Sequence, residues 1–289
     1  MFAQDLNTIP LEQGSQNWLD YRKTRIGASD AASIMGVGFS TPLELWKEKL
    51  GLVTKEVTSR MQRGTDLEPM AREAFIKEQE VFVAPAVIES KEHTWMFASV
   101  DGLSYDGKTL VEIKCPNQKD HALALEGKIP EKYFPQLQHQ MLVLNLEMMY
   151  YFSFDGNQGA RVLVYADSEY QRTLIAKERD FYKKLITFEQ PELTDRDYIQ
   201  KTDYDFLHHV HEYRNLLAKE KEIEQLKENH RNALVHLADK QNVEGGGLRV
   251  QQITRRGFVD YSAIPELKSV DLERYRKPSI ESVRISEVV

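Results

Sequence analysis

Residues 100–116 read VDGLSYDGKTLVEIKCP, and this pattern places three charged side chains in an otherwise strand-like segment. The Asp106-Gly107 pair between alternating apolar residues is typical of a tight hairpin turn between two strands. Side chains alternate across a strand, so Glu112 and Lys114 share one face of the second strand. We expect the turn to bring Asp101, at the end of the first strand, close to that polar face.

The clustering of these charges predicts a metal site. Two neighbouring carboxylates repel each other, and one takes up a proton unless a cation lies between them. Mg²⁺ or Mn²⁺ suits such hard oxygens and leaves positions for water and a phosphate oxygen. Lys114 could orient or help deprotonate the attacking water. The pattern favours a phosphodiester hydrolase, although Glu-x-Lys alone is weak evidence because the chain contains it four times.

Composition limits the class of protein. The 289 residues, 41% hydrophobic and 29% charged, suffice for one large domain or one domain with an appendage. No apolar run approaches the roughly 20 residues that span a bilayer, and the N-terminus lacks a signal-peptide pattern, so we expect a cytoplasmic protein. The single cysteine, Cys115, excludes an internal disulfide. A net charge of -7 argues against a passive nucleic-acid coat but not against a DNA enzyme with a local basic groove.

The periodicity predicts two parts. Up to about residue 200, helices come first, then strands alternate with helices, which is typical of a mixed α/β layer. We expect this domain to cover residues 1–200. Residues 205–241 predict one long amphipathic helix, with a coiled coil left open. The glycines at 244–247 are expected to end it, and short strands around a small helix to complete the extension 201–289.

Other candidate residues each have a structural alternative. Glu68 lies in TDLE, which is typical of a capping box in which Glu68 bonds the amide of Thr65. Arg25 and Ser29 of RIGASD stand beside a helix start that favours an anion, unless Ser29 only caps that helix.

A further helix, from about residue 133 to 144, places Tyr133, Gln136 and Gln140 on one face. Glutamines can position water or a DNA backbone, but such a row is more often a polar helix surface. The histidines at 208–211 lack nearby carboxylates, so we do not expect a metal there.

In their order along the chain, RIGASD, RGTDLEP, ASVDGL, VEIKCP and YFPQLQHQM resemble the YqaJ viral recombinase family. These proteins are phage-type relatives of lambda exonuclease within the PD-(D/E)xK nucleases. The resemblance runs from about residue 18 to 154. It implies an α/β (α+β) protein with a restriction-endonuclease-like core, in which a central mixed β-sheet is flanked by helices. The first PD of the superfamily pattern is VD here.

Carried over to this sequence, the resemblance implies a catalytic metal centre. Asp101 and Glu112 would ligate the metal, together with the backbone carbonyl of Ile113. Lys114 would position or activate the attacking water. Glu68 would stand beside the metal, directly or through a water.

The resemblance also implies residues that bind the substrate. Gln136 would lie near the water or the scissile phosphate. Arg25 and Ser29 would hold a terminal 5′-phosphate, with Ser99 as a further phosphate contact and Tyr133 as a further DNA contact.

The activity implied is that of a Mg²⁺-dependent, ATP-independent 5′-to-3′ exonuclease on linear double-stranded DNA, with Mn²⁺ able to substitute. Such enzymes leave a 3′ single strand for a partner annealing protein, and the lambda type is a toroidal trimer, so we expect a homo-oligomer and no membrane partner. Two alternatives stay open: a restriction-like or repair endonuclease on the same core, and a non-catalytic DNA-binding or assembly scaffold. A glycosidase with paired carboxylates is disfavoured by Lys114 beside Glu112.

Overall fold

The computed structural model describes residues 6–54, 58–253 and four later positions, 257, 264, 265 and 270. The chain divides into two compact units, Met1–Ile199 and Gln200–Val289. In the described ranges, no helix combines the length and the apolar composition that crossing a membrane requires.

Helices of the first unit begin and end where local signals predict them in most cases. Thr41 caps the third helix, Pro42 takes its first position, and Glu44 completes a capping box. The α-helices in the described part of this unit are α1 Gln16–Lys23, α2 Ala31–Ile34, α3 Pro42–Lys49, α4 Ser59–Gln79, α5 Gln118–Leu125, α6 Phe134–Leu144 and α7 Ser168–Thr187.

One mixed β-sheet organises this unit and confirms the predicted fold class. Its strands are β1 Asn7–Thr8, β2 Ile26–Gly27, β3 Val83–Glu89, β4 Met96–Ser104, β5 Leu110–Lys114, β6 Met148–Phe154 and β7 Gly159–Tyr165. The order is β1-β3-β4-β5-β6-β7, with β2 beside β4. The pairs β2–β4 and β5–β6 are parallel, and the others are antiparallel. Helices α5 and α6 connect β5 to β6, as a parallel pair requires a crossover.

Helices cover both faces of the sheet. On one face, Phe75 of α4 packs in a cluster with Val111 and Ile113 of β5. On the other face, α6 packs through a cluster that includes Leu137, Met141, Val100, Leu110 and Tyr151. Because side chains alternate along β5, Glu112 points toward α6.

A β-bulge interrupts the pairing of β3 with β4. Pro85 of β3 stands opposite two residues of β4, Asp101 and Gly102. A Cβ atom on Gly102 would meet Cγ1 of Val111 at 2.6 Å and Cγ2 of Val83 at 2.7 Å, so a side chain does not fit there. Bulges re-aim neighbouring side chains and are frequent next to active sites. This bulge sets the direction of Asp101.

Helix α4 begins earlier than the sequence predicts. Its first residue is Ser59, and the side chain of Thr58 caps it. Thr65 therefore lies inside the helix, where its hydroxyl donates to the carbonyl of Met61 at 3.3 Å. The capping-box interpretation of Glu68 is wrong. Gly64 suggests that the helix starts after it. Inside a helix, however, a glycine lowers stability by only about 1 kcal/mol relative to alanine, and a helix of 21 residues tolerates this loss.

Two other local predictions also differ from the structure. Asp101 does not end its strand, because β4 continues to Ser104. The spacing of Trp18, Arg22 and Arg25 predicts one helix that includes all three, but α1 ends at Lys23 with Thr24 as its cap, and Arg25 lies beyond it.

The second unit contains the predicted long helix, α8 Tyr204–Leu237, followed by a hairpin of β8 Val243–Gly245 and β9 Leu248–Val250. The helix ends before the predicted residue 241. The glycines expected to end it lie in the hairpin instead, and Gly246 and Gly247 adopt the positive φ that its turn requires. The small helix and later strands predicted after residue 253 fall mostly outside the described residues.

Candidate active site

Glu112 is the most enclosed charge of the candidate site, with a relative exposure of 1%. The ammonium of Lys114 hydrogen-bonds to its Oε1 atom. The side-chain amides of Gln136 and Gln140, one turn apart on α6, donate to Oε1 and Oε2, each at 2.5 Å. Three donors fix the orientation of this carboxylate.

Asp101 occupies the gap where β4 and β5 separate. The two strands pair at Gly102 and Leu103 but not at Asp101. There the Oδ2 atom of Asp101 accepts the backbone N–H of Ile113 at 2.8 Å. Since the N–H and C=O of a strand residue point to the same side, the carbonyl of Ile113 faces this gap too. The carboxylate and the carbonyl thus lie together.

Negative charge is in excess at this gap. Burial, and then the nearby Glu112 carboxylate, raise the pKa of Asp101 well above its ordinary value, with a smaller contribution from Glu68. Burial alone would lower the pKa of Lys114, but Glu112 and Asp101 outweigh it and raise that pKa overall. Lys114 is therefore an ammonium donor, and one ammonium does not balance the cluster.

Glu68 stands on α4 beside this cluster. Arg72, one turn later, forms an ion pair with Glu68 and donates from Nε to the backbone carbonyl of Asp101 at 2.7 Å. Arg72 thus ties α4 to the bulged part of β4. Sequence reasoning missed both Arg72 and the role of Gln140, although each lies four residues after a candidate that it identified.

The donor set fits a hard divalent cation of the magnesium type. The carboxylates of Asp101 and Glu112 and the carbonyl of Ile113 are hard oxygen ligands, and Mg²⁺ usually keeps several waters. Burial and the Glu112 carboxylate both raise the pKa of Asp101, and a cation would favour its ionised form. No group of three or more His, Cys, Asp and Glu side chains is placed to hold a metal within the described ranges. Glu68, paired with Arg72, does not serve as a third carboxylate in this arrangement.

Asp101, Ile113, Lys114 and Glu68 line a cleft of about 380 Å³, and Glu112 contacts it through Lys114. Tyr133 forms part of its wall, with the ring centroid 5.5 Å from Nζ of Lys114. The Tyr133 ring also stacks on Tyr151 with centroids 5.8 Å apart. The structure therefore brings Tyr133 next to the charged cluster.

The predicted pair of Arg25 and Ser29 is not brought together. Nε of Arg25 lies 3.2 Å from a carboxylate oxygen of Glu89, and its guanidinium covers the Tyr21 ring at 4.0 Å. The guanidinium of Arg22 donates to the hydroxyl of Ser29 at 3.3 Å and lies 3.4 Å from a carboxylate oxygen of Asp30. The contacts of the structure therefore put Arg22, rather than Arg25, against Ser29.

Ser99 belongs to the same surface as Arg22. The indole N–H of Trp18 donates to the Ser99 hydroxyl at 2.7 Å, and the Arg22 guanidinium lies 4.9 Å from the Trp18 ring centroid. Trp18 and Arg22 are four residues apart on α1, a spacing that puts them on one face. This spacing could have pointed to Arg22.

A buried lysine holds the segment that carries these residues. Lys49, 7% exposed, donates to the carbonyls of Arg22 and Arg25 at 2.8 and 2.7 Å, and pairs with Asp30 at 2.7 Å. Asp30 also accepts the backbone N–H of Gly27 at 2.8 Å. Satisfied on several sides, this buried pair fixes the chain between α1 and Ser29.

A second buried pair anchors α6. His139 and Glu178 of α7 are fully buried, and Nδ1 of His139 lies 2.8 Å from Oε1 of Glu178. The other ring nitrogen lies 3.0 Å from the carbonyl of Phe97. Burial alone would lower the pKa of His139, but Glu178 and this carbonyl raise it overall. Both ring nitrogens face acceptors, so the imidazolium fits the site.

Solved structures place this fold in a class. The alkaline exonuclease LHK-Exo from Laribacter hongkongensis is 29% identical, with a TM-score of 0.53, and the match covers 61% of this chain and 94% of that one. LHK-Exo in complex with dAMP is 27% identical, with a TM-score of 0.54 and the same coverage of both chains. The first unit therefore has the nuclease fold of phage-type exonucleases.

Residues 17–147 match the model of the YqaJ-like viral recombinase domain. This similarity confirms the resemblance drawn from the motifs. The "Uncharacterized protein YqaJ" of Bacillus subtilis (strain 168) is 31% identical over 141 residues, which make up 47% of this chain. The match spans 44% of that protein, less than half its length.

Proposed function

We propose that this protein is a Mg²⁺-dependent, ATP-independent exonuclease that degrades linear double-stranded DNA from its 5′ ends and leaves 3′ single-stranded tails for phage-type recombination. One observation carries the proposal: Ser99 and Asp101 lie two residues apart on β4. Two strand residues span about 7 Å, a distance that one nucleotide can bridge. A terminal phosphate near Ser99 would thus place the next phosphodiester at Asp101.

The chemistry is assigned to residues of the cleft. Asp101, Glu112 and the carbonyl of Ile113 would hold Mg²⁺, and Mn²⁺ is expected to substitute. When bound, the ion supplies a Lewis acid that polarises the phosphoryl group and eases deprotonation of water. Lys114 donates to the oxygens on which charge develops, and Gln136 orients the water or the scissile phosphate. Glu68, paired with Arg72, would contact the metal only through a bound water.

The 5′-phosphate is assigned to the surface around Arg22. A guanidinium can bind a phosphate through two parallel hydrogen bonds, and the Ser29 and Ser99 hydroxyls add donors beside it. Arg25, paired with Glu89, is expected to support this surface rather than to bind phosphate.

Arg22→Ala is expected to remove the preference for a 5′-phosphate. Its rate on 5′-phosphorylated linear duplex should fall by about 10- to 100-fold, because one charge-assisted phosphate contact is lost. Its rate on 5′-hydroxyl duplex should change little. Initial rates on the two substrates measure the preference. If Arg25→Ala abolishes the preference and Arg22→Ala keeps it, the assignment to Arg22 is wrong.

The proposed function is tested with end-labelled linear duplex and covalently closed circular duplex, incubated with Mg²⁺. We expect resection of the linear DNA from its 5′ ends, no cutting of the circle, and no activity in Lys114→Ala. Lys108→Ala, which removes a lysine from the exposed hairpin turn, is the control and should retain activity. Cleavage of the circle would establish the endonuclease alternative. DNA binding without any hydrolysis would establish the scaffold alternative.

The partners belong to the proposal as well. We expect a single-strand annealing protein to receive the 3′ tail, and a homo-oligomer, a trimer by family resemblance, to enclose the duplex. The reaction is expected to take place in the cytoplasm of a bacterial or phage-infected cell.

A further inference from the structure

The segment after α7 is hydrogen-bonded to a loop that lines the active-site cleft. The guanidinium of Arg196 donates to the carbonyls of Gly38 at 2.9 Å and Gly36 at 3.4 Å. The next residue, Asp197, accepts the hydroxyl of Thr41 at 2.5 Å. These contacts hold both ends of the loop 36–41, which connects α2 to α3.

The conformation of the loop 36–41 is also restricted by its own backbone and by its contacts with α2. Gly36 adopts a φ of +84°. A Cβ on Gly38 would meet the backbone N of Ser33 at 2.7 Å. The amides of Val37 and Gly38 both donate to the carbonyl of Ala32, at 3.0 and 2.8 Å. The amides of Val37 and Gly38 thus donate to α2, and the carbonyls of Gly36 and Gly38 accept from Arg196.

Asp197 is itself fixed before it meets the loop. Its Oδ2 atom accepts both the backbone N–H and the hydroxyl of Thr194, at 2.7 and 2.8 Å. Its Oδ1 atom is therefore aimed at Thr41, whose hydroxyl oxygen also caps α3 by accepting the amide of Glu44 at 3.1 Å. The segment and the start of α3 form one hydrogen-bonded unit.

Phe39, at the tip of the loop, is unusual for an aromatic residue. Its side chain is 75% exposed, yet it lines the cleft that holds Asp101. Nζ of Lys132 lies 5.1 Å from the Phe39 ring and 5.1 Å from the Tyr133 ring. Two aromatic faces and a cation beside a phosphate-handling cleft suit a nucleobase, since bases stack on such rings whatever their sequence.

We propose that Arg196 and Asp197 are positioning residues that hold Phe39 over the cleft, where its ring stacks on a base of the DNA substrate. The ligand class rests on the proposed function. The hydrogen bonds to the loop do not, and they give the inference a readout that needs no catalysis. The segment that leads into the second unit thereby takes part in substrate binding at the active site.

The first measurement is amide hydrogen exchange of residues 36–41 in the full chain without DNA. Arg196→Ala is expected to exchange at least about tenfold faster there than the wild type, because the loop loses its hold on two carbonyls. Arg179→Ala removes the same charge from an exposed position of α7 and should leave this exchange unchanged. Arg196→Lys, which cannot span both carbonyls, should fall between the two. Unchanged exchange in Arg196→Ala would overturn the proposal.

The second measurement is a double-mutant cycle on 5′-phosphorylated linear duplex. Phe39→Ala is expected to raise KM about tenfold, with kcat within about twofold, because one base-stacking contact is lost. Arg196→Ala should raise KM about fivefold alone and have no further effect in the Phe39→Ala background. Independent, multiplying effects would overturn the positioning role. If the wild type lacks nuclease activity, the proposed function fails, and the cycle is read from DNA affinity by fluorescence anisotropy.

Discussion

Asp101→Asn is expected to abolish nuclease activity and, in the same protein, to raise the thermal stability of the metal-free chain. The asparagine oxygen can still accept the N–H of Ile113, so the local backbone is kept. The negative charge that would bind the metal is lost, and activity should fall by about 10³-fold or more. Removing a charge that burial and the nearby Glu112 both disfavour should raise Tm by about 2–4 °C.

The gain in stability should depend on pH in one direction. Because folding raises the pKa of Asp101, ionising this residue costs stability, and the cost grows as the pH rises from below 3.8 through the raised value. The difference in Tm between Asp101→Asn and the wild type should therefore be larger at pH 8 than at pH 4. Added Mg²⁺ should stabilise the wild type and not the variant.

Scanning calorimetry with and without Mg²⁺ measures these differences. Asp66→Asn removes the same charge from an exposed position of α4 and should show neither the gain nor the loss of activity. A variant Asp101→Asn that is less stable than the wild type at pH 8 would show that the carboxylate supports the fold rather than the reaction.

The second large effect concerns stability alone. Glu178→Ala is expected to cost about 3–5 kcal/mol, and about 10 °C in Tm, because it leaves His139 buried without its partner. Glu178→Gln should cost much less. Its amide N–H can donate to Nδ1 of a neutral His139, while the other ring N–H still donates to Phe97.

Urea unfolding measures the free energy of unfolding of the two variants. Both variants remove the charge of Glu178, but only glutamine can keep a hydrogen bond to His139. Equal losses in both variants would mean that the ion pair itself is required. A harmless Glu178→Ala would mean that water reaches His139, in contrast to its complete burial.

The regular parts of the structure were predictable from the sequence. The strands around Asp101 and Glu112 alternate clearly, and the Asp106-Gly107 turn fixes how they pair, so the contact of Glu112 with Lys114 on one face follows from local rules. The bounds of α3 were also predictable, because Thr41 as the cap, Pro42 at the first position and Gly51 just after the C-cap agree with the observed helix.

The rest depends on contacts between distant segments. Arg25 and Arg22 look equivalent in RKTRIG, but Arg25 pairs with Glu89, 64 residues away, whereas Arg22 pairs with Asp30. The bulge at Asp101 depends on the register between β3 and β4, and neither strand reveals it alone. The hold of Arg196 on the loop 36–41 joins residues about 160 positions apart. Such pairings follow from tertiary packing, which local periodicity does not contain.

The bulge opposite Pro85 bears on how this sheet tolerates change in length. A chain one residue shorter at Asp101-Gly102 could pair β3 and β4 without interruption, and Pro85, which has no N–H, would lose no donor by it. The aspartate position would then turn away from Glu112, because a shift of one residue reverses the face of a strand. A single deletion could thus yield a more regular sheet with no catalytic centre, so the spacing of this strand is under stricter functional than structural constraint.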